Sequence, residues 1–259
     1  MTGTHKEIQL TIHDRVARIT MARPPLNILT ISMMKEMNQA VLKVGTLKEV
    51  CAIVLAATPG IRAFSAGVAI EEHRAETVYQ MLDAFHSVFR SFNIVSKPVI
   101  ALVSGAALGG GCELVAFADI VLATQSSRFG QPEIKIGVFP PVAACLLPRV
   151  IGEKKARELI LTGELLTAEE ARALGLVNHV VPELELEAKA AGILDVLRQM
   201  SVPALEITRR TMAEVSGLPF EDALKKAEDA YLNKLMSCRD PLEGIQAFID
   251  KRAPAWKHR

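Results

Sequence analysis

The chain has 259 residues, half of them apolar, with 30 basic and 29 acidic side chains and a formal net charge of +1. This is enough apolar surface for a sizeable core, which excludes a disordered tail, and the balanced charge without any basic run leaves no footprint for nucleic acid. Four cysteines stand far apart at positions 51, 112, 145 and 238, and the opening stretch Met1–Leu10 lacks the basic-then-apolar build of a targeting signal. A reduced, cytoplasmic protein is the expectation. Pro98–Thr124 is apolar and long enough to cross a bilayer, but it carries Glu113, Asp119 and a Gly triplet, which suit a buried strand, turn and helix better than hydrocarbon.

Period-2 segments at Glu7–Ile12 and Val16–Met21, around the turn-like His13-Asp14-Arg15, predict a hairpin. Helical spacing follows at Ile31, Met34, Met37, Val41 and Leu42, with Thr30 or Ser32 as the cap and an end near Gly45. Ala52–Ala57 reads as a buried strand. A second helix carries Val78, Met81, Leu82, Phe85, Val88, Phe89 and Phe92, its Met and Phe positions reading as core rather than ligand wall, before a strand at Val99–Val103. A Gly-rich turn at Gly105–Gly111 leads into a helix ending near Ala118, and Ile120–Ala123 reads as another strand. Thr167–Glu170 matches a capping box, Gly175 follows the helix it opens, and Val177–Val181 reads as the last strand. From Leu184 onward the pattern is helical, with breaks at Val202-Pro203, Gly217-Leu218-Pro219 and Asp240-Pro241. Alternating strands and helices predict an α/β class, divided into a core at 1–200 and a helical region at 201–259.

The six histidines are scattered, with no H-E-x-x-H and no cysteine at ligand spacing, so no metal is expected. The chain also lacks a G-x-S-x-G elbow, a P-loop and the G-x-G-x-x-G order. Two glycine-containing turns follow strands, Phe64-Ser-Ala-Gly67-Val68 and Gly109-Gly110-Gly111. Their amides could converge on one oxygen, or the glycines could simply allow close strand-to-helix packing. Two acids, Glu113 and Glu133, lie in apolar surroundings. Sharing a cleft, one could hold a proton while the other acts as base, as addition of water to a double bond requires; the alternative is that each caps a helix or pairs with an Arg. Glu71, Glu72 and His73, next to the first turn, could edge the pocket, though they suit better a solvated helix start favoured by acids at its positive end.

On Phe64-Ser-Ala-Gly-Val-Ala-Ile70, Ala107-Leu-Gly-Gly-Gly-Cys-Glu-Leu114, Phe129-Gly-Gln-Pro-Glu133, Leu161-Thr-Gly163, Ala171-Arg-Ala-Leu-Gly-Leu-Val177 and Phe248-Ile-Asp-Lys-Arg252, the sequence resembles the enoyl-CoA hydratase/isomerase (crotonase) superfamily over nearly its whole length. The resemblance implies a crotonase-like spiral of ββα turns with a C-terminal helical trimerisation region, assembled as a homotrimer or a hexamer. It implies an oxyanion hole at the backbone N–H groups of Val68 and Gly110, and catalytic acids at Glu113, chiefly activating water, and Glu133, chiefly delivering the proton. Leu26, Ala66, Ala69 and Ile70 match a coenzyme A pocket, with Phe139 beside it, and Phe248 and Lys251 match a helix reaching a neighbouring subunit's coenzyme A. Coenzyme A would be part of the substrate, and no separate cofactor is implied. Val68-Ala69 and Val138-Phe-Pro-Pro-Val-Ala-Ala144 depart from the common pattern. With Ile70-Glu-Glu-His73, Gly130-Gln-Pro-Glu-Ile134, Cys145-Leu-Leu-Pro148 and Trp256-Lys-His-Arg259, they resemble the cyclohexa-1,5-diene-1-carbonyl-CoA hydratases of anaerobic benzoyl-CoA degradation. A general short-chain enoyl-CoA hydratase, an isomerase and a coenzyme A-binding scaffold stand as the alternatives.

Overall fold

The computed structural model describes residues 7–258. Residues 1–6, part of the stretch read for a targeting signal, and Arg259 of the closing tetrapeptide lie outside the described residues. The hairpin forms as β1 (Ile8–His13) and β2 (Val16–Met21), paired antiparallel. Helix α1 (Ile31–Gly45) follows, and Thr30 rather than Ser32 caps it, its hydroxyl accepting the Met33 N–H at 3.1 Å. Next come β3 (Ala52–Ala57), β4 (Ala63–Ser65), a 3₁₀ turn at Ile70–His73 and α2 (Val78–Val95). The chain continues through β5 (Val99–Val103), β6 (Ala106–Leu108) and α3 (Gly110–Phe117). After β7 (Ile120–Thr124) and β8 (Arg128–Gly130) come a 3₁₀ turn at Pro132–Ile136, α4 (Pro141–Ile151) and α5 (Glu153–Thr162).

The capping box at Thr167–Glu170 is present, joining β9 (Leu165–Thr167) to α6 (Ala168–Ala173). The last strand, β10 (His179–Val181), begins two residues later than its pattern predicts. Beyond it are α7 (Leu186–Arg198), α8 (Val202–Val215), α9 (Phe220–Asp229) with a π-helical extension at Ala230–Leu235, and α10 (Asp240–Ile249). Helix α8 starts at Val202 with proline in its first turn, Pro219 flanks the start of α9, and Pro241 lies in the first turn of α10, so the three sequence breaks coincide with helix starts.

Six strands make the main sheet in the order β1-β2-β3-β5-β7-β10, parallel from β2 onward. Its middle strands read as unbroken apolar runs because both faces are covered. Ile53, Leu55, Val99, Ala101 and Val103 pack with α1, α2 and α3, whereas Ala52, Val54, Ala56, Ile100 and Leu102 pack with Leu186, Ala190 and Leu194 of α7. A second, four-stranded sheet has the order β4-β6-β8-β9, its first three strands parallel. The sequence reading contains no strand at 63–65, 106–108, 128–130 or 165–167; in particular, the turn assigned to Gly105–Gly111 includes β6.

These short strands organise the spiral. The units β3-β4-α2, β5-β6-α3 and β7-β8-α4 each give one strand to either sheet before crossing over through a helix. Because β4, β6 and β8 are adjacent and parallel, the chain leaves all of them at the same edge. The residues just past their ends are Ala66–Val68, Gly109–Gly110 and Gln131–Glu133.

Candidate active site

At that edge the two glycine turns meet. Leu29 forms a parallel bridge with Val68: the Leu29 N–H donates to the Gly67 carbonyl at 2.9 Å, and the Ala69 N–H donates to the Leu29 carbonyl at 3.0 Å. In such a bridge the central residue turns its own N–H away from the partner strand. Gly67 has φ +103, and a β-carbon on it would stand 3.1 Å from the Leu108 carbonyl oxygen and 3.6 Å from the Gly110 nitrogen. Only glycine permits that approach without strain. Gly110 begins α3, where the first N–H groups have no intrahelical acceptor. Among the described residues, neither the Val68 nor the Gly110 N–H donates a hydrogen bond.

Both amides border a cavity of about 640 Å³ whose wall also includes Glu113 and Glu133. Glu113, on the first turn of α3, is 2% exposed. Its carboxylate accepts the Ala143 N–H at 2.7 Å, at the start of α4. Glu113 therefore does cap a helix, and it does so while facing the cavity. Burial pushes its carboxyl up to about 8; the Ala143 N–H opposes that rise and the Glu133 charge adds to it. Glu133 sits on the 3₁₀ turn after β8, and burial raises its carboxyl too. A β-carbon on Gly109 would lie 2.5 Å from a Glu133 carboxyl oxygen, so that carboxyl rests directly on the glycine backbone. Buried Gln131, with its amide nitrogen turned toward Glu133, donates to both oxygens at 3.2 Å. Neither acid forms an ion pair with an arginine among the described residues. Cys112, between Gly111 and Glu113, is wholly buried, and desolvation pushes its thiol up to about 12.

The rest of the wall is mostly apolar. Ala66, Ile70 and Phe139 line the cavity. Leu26 and Ala69 do not: Leu26 supplies the carbonyl that holds the Ala66 N–H, and buried Ala69 faces Leu29 through its own N–H. Phe248, 84% exposed on α10, and Lys251 beyond that helix lie outside this cavity. Val78, Met81, Leu82 and Phe85 of α2 form one side of it, so Met81 and Phe85 belong to the ligand wall against which the sequence reading favours core. The same helix packs against α1, so one stripe of side chains serves as both core and wall. His73 edges the cavity, as do Pro140 and Pro141 of the departing stretch, and Lys135 is a wall residue that the sequence reading assigns no role. Among the described residues, no cluster of three His, Cys, Asp or Glu side chains could hold a metal ion, and no helix is long and apolar enough to cross a membrane.

Residues 11–259 match the model of the family described as enoyl-CoA hydratase/isomerase. The chain is 36% identical over 262 residues to the probable enoyl-CoA hydratase echA8 of Mycobacterium tuberculosis, covering 99% of this chain and 100% of that one. It is 33% identical over 243 residues to the cyclohexa-1,5-dienecarbonyl-CoA hydratase of Thauera aromatica, covering 93% of each chain. The crystal structure of an enoyl-CoA hydratase from Bacillus anthracis superposes with a TM-score of 0.92 at 28% identity, covering 98% of this chain and 100% of that one.

Proposed function

The chain belongs to the enoyl-CoA hydratase/isomerase family, and we propose that it adds water to an acyl-CoA double bond at the cavity shared by Glu113 and Glu133. It is a hydro-lyase of the enoyl-CoA hydratase type. One observation carries the assignment of the site: two acids and two amide N–H groups that have no protein acceptor among the described residues border one largely apolar cavity.

The thioester carbonyl oxygen accepts hydrogen bonds from the Val68 and Gly110 amides. Each such donor is worth about 2.7–4 kcal/mol to a transition state that builds charge on that oxygen. The ionised member of the acid pair takes a proton from water while the water oxygen bonds to the β-carbon, and the double-bond electrons move onto the thioester oxygen. The protonated member then delivers its proton to carbon as the enolate collapses. Hydrogen and hydroxyl have been added, the protons of the two acids have exchanged places, and a proton transfer between them restores the pair. Burial, which pushes Glu113 up to about 8, keeps the pair's proton on Glu113 at rest, so its part as base requires that proton to pass first to Glu133; the Ala143 N–H, which favours charged Glu113, promotes that transfer.

For the acyl group the reading is cyclohexa-1,5-diene-1-carbonyl-CoA, giving 6-hydroxycyclohex-1-ene-1-carbonyl-CoA. The Val138–Pro141 wall, with two consecutive prolines, and the Thauera relative support it. The Mycobacterium and Bacillus relatives, named as enoyl-CoA hydratases without a ring substrate, support a short-chain alternative. Assembly as a homotrimer or a dimer of trimers, with Phe248 and Lys251 completing a neighbour's coenzyme A site, belongs to the same proposal. A spectroscopic assay with the cyclic dienoyl-CoA and crotonyl-CoA side by side is the test, with higher kcat/KM expected for the ring. Faster turnover of crotonyl-CoA would overturn the acyl assignment and leave the hydratase standing. Coenzyme A binding without turnover of either substrate would favour a scaffold.

A further inference from the structure

The Val68 amide lies on an irregular segment, and Gly67–Ala69 is joined to Leu29 by only two backbone hydrogen bonds. A third tether comes from further along. Glu72, half-buried on the 3₁₀ turn, directs its carboxylate back at the start of α1, where the Ile31 N–H donates to both oxygens at 2.9 and 2.8 Å. Ile31 is the first residue of that helix, and its amide has no intrahelical acceptor. Glu72 is in turn held to its own segment: its N–H donates to the Ala69 carbonyl at 3.1 Å, and the Thr77 hydroxyl donates to its carbonyl at 2.9 Å. The His73 Nδ1 also lies 3.0 Å from the Ala69 carbonyl. Residues 29–31 thus grip 67–72 at both ends, with Val68 between the grips.

We propose that Glu72 is a positioning residue for the reaction: by clamping the 3₁₀ turn to the start of α1, it sets the direction of the Val68 N–H toward the thioester oxygen. The inference rests on the oxyanion reading given above. Glu72 touches neither substrate nor reacting atoms; its effect passes through two residues of backbone to Ala69. A misplacement of about 1 Å caused by a remote change can cost about a hundredfold in rate, so a loosened clamp is expected to appear in kcat.

The experiment uses benzoyl-CoA carrying ¹³C at the thioester carbonyl, a ring thioester that does not hydrate because water addition would destroy its aromaticity. Infrared difference spectra would be recorded on the full-length protein. In the wild type the bound carbonyl stretch is expected below its value in free benzoyl-CoA. Glu72→Gln keeps an oxygen within reach of the Ile31 N–H and should retain most of that shift. Glu72→Ala removes the acceptor and Glu72→Asp withdraws it by one methylene, so both should lose a large part of the shift. In these two, kcat should fall about tenfold to a hundredfold, more than KM rises, with the pH profile of kcat unmoved. A role in folding alone would lower the folded fraction without changing the frequency of ligand that is bound. A full wild-type shift in Glu72→Asp would overturn the proposal, and that variant carries the test even if Glu72→Ala does not fold. Absence of any shift in the wild type would instead overturn the oxyanion reading.

Discussion

The two turns that meet at the cavity are built on different principles. Gly110 belongs to a regular helix, and its amide points outward because every helix start leaves such groups unpaired. That helix is pressed so closely on β4 that a β-carbon at Gly111 would lie 2.4 Å from the Ser65 carbonyl oxygen. Val68 belongs to no regular element and is aimed by an isolated bridge and a distant carboxylate. One donor is held by repetitive local geometry, the other by contacts between residues about forty positions apart. The acids divide in a similar way: Glu113 is anchored by α3 and the start of α4, and Glu133 rides on a short turn steadied by Gln131.

The largest test of this contrast removes proton transfer from each acid. Glu113→Gln and Glu133→Gln keep side-chain shape, and steady-state kinetics should show kcat reduced by about 10² to 10⁴ in each. Unchanged rates in both would make the acids structural, and loss in only one would favour an isomerase. Next in size is Gly111→Ala. Its β-carbon would meet the Ser65 backbone, which lies within a buried sheet and cannot yield cheaply, so α3 and β4 must part and the amides separate. A kcat loss of about a hundredfold is expected, with about 1–3 kcal/mol of destabilisation in urea unfolding.

A third test sharpens the account of Glu113 through pH. The folded chain holds its proton up to about 8, against an ordinary value of 4.5, and so binds that proton more tightly than the unfolded chain does. The resulting stabilisation is complete below about 4.5 and is lost as pH rises toward 8. Glu113→Gln has no such proton, so its Tm relative to wild type should climb between pH 5 and pH 8 and then level off. The smallest effect is a control: Gly192, within α7, has open space where a β-carbon would go. Gly192→Ala should raise stability by about 0.4–1 kcal/mol and leave kcat untouched.

Much of this architecture was legible in residue order. The hairpin, α1 and α2 have clear apolar periods, β3 and β5 are unbroken apolar runs, and proline marks the starts of the tail helices. The second sheet was not legible because its strands are three residues long, shorter than any alternation can establish, with β6 ending beside Gly109 and β8 ending on Gly130. Helices α4 and α5 were also missed, although Pro141 in the first turn of α4 and Gly163 at the end of α5 match known boundary signals. At the site, Val68, Gly110, Glu113 and Glu133 stood out through their motifs, whereas the wall of α2 was indistinguishable from core. Glu72 shows why local rules run out. An acid near a positive helix end was the right principle, but the helix is α1, 41 positions earlier in the chain, rather than the turn in which Glu72 itself lies.

The sealed thiol beside Glu113 has a practical consequence. With no access to solvent and ionisation deferred to about 12, Cys112 should ignore alkylating reagents that reach the exposed Cys145. The chain therefore carries its own pair of chemical clocks, one marking surface encounter and the other marking each opening of the interior next to the acids.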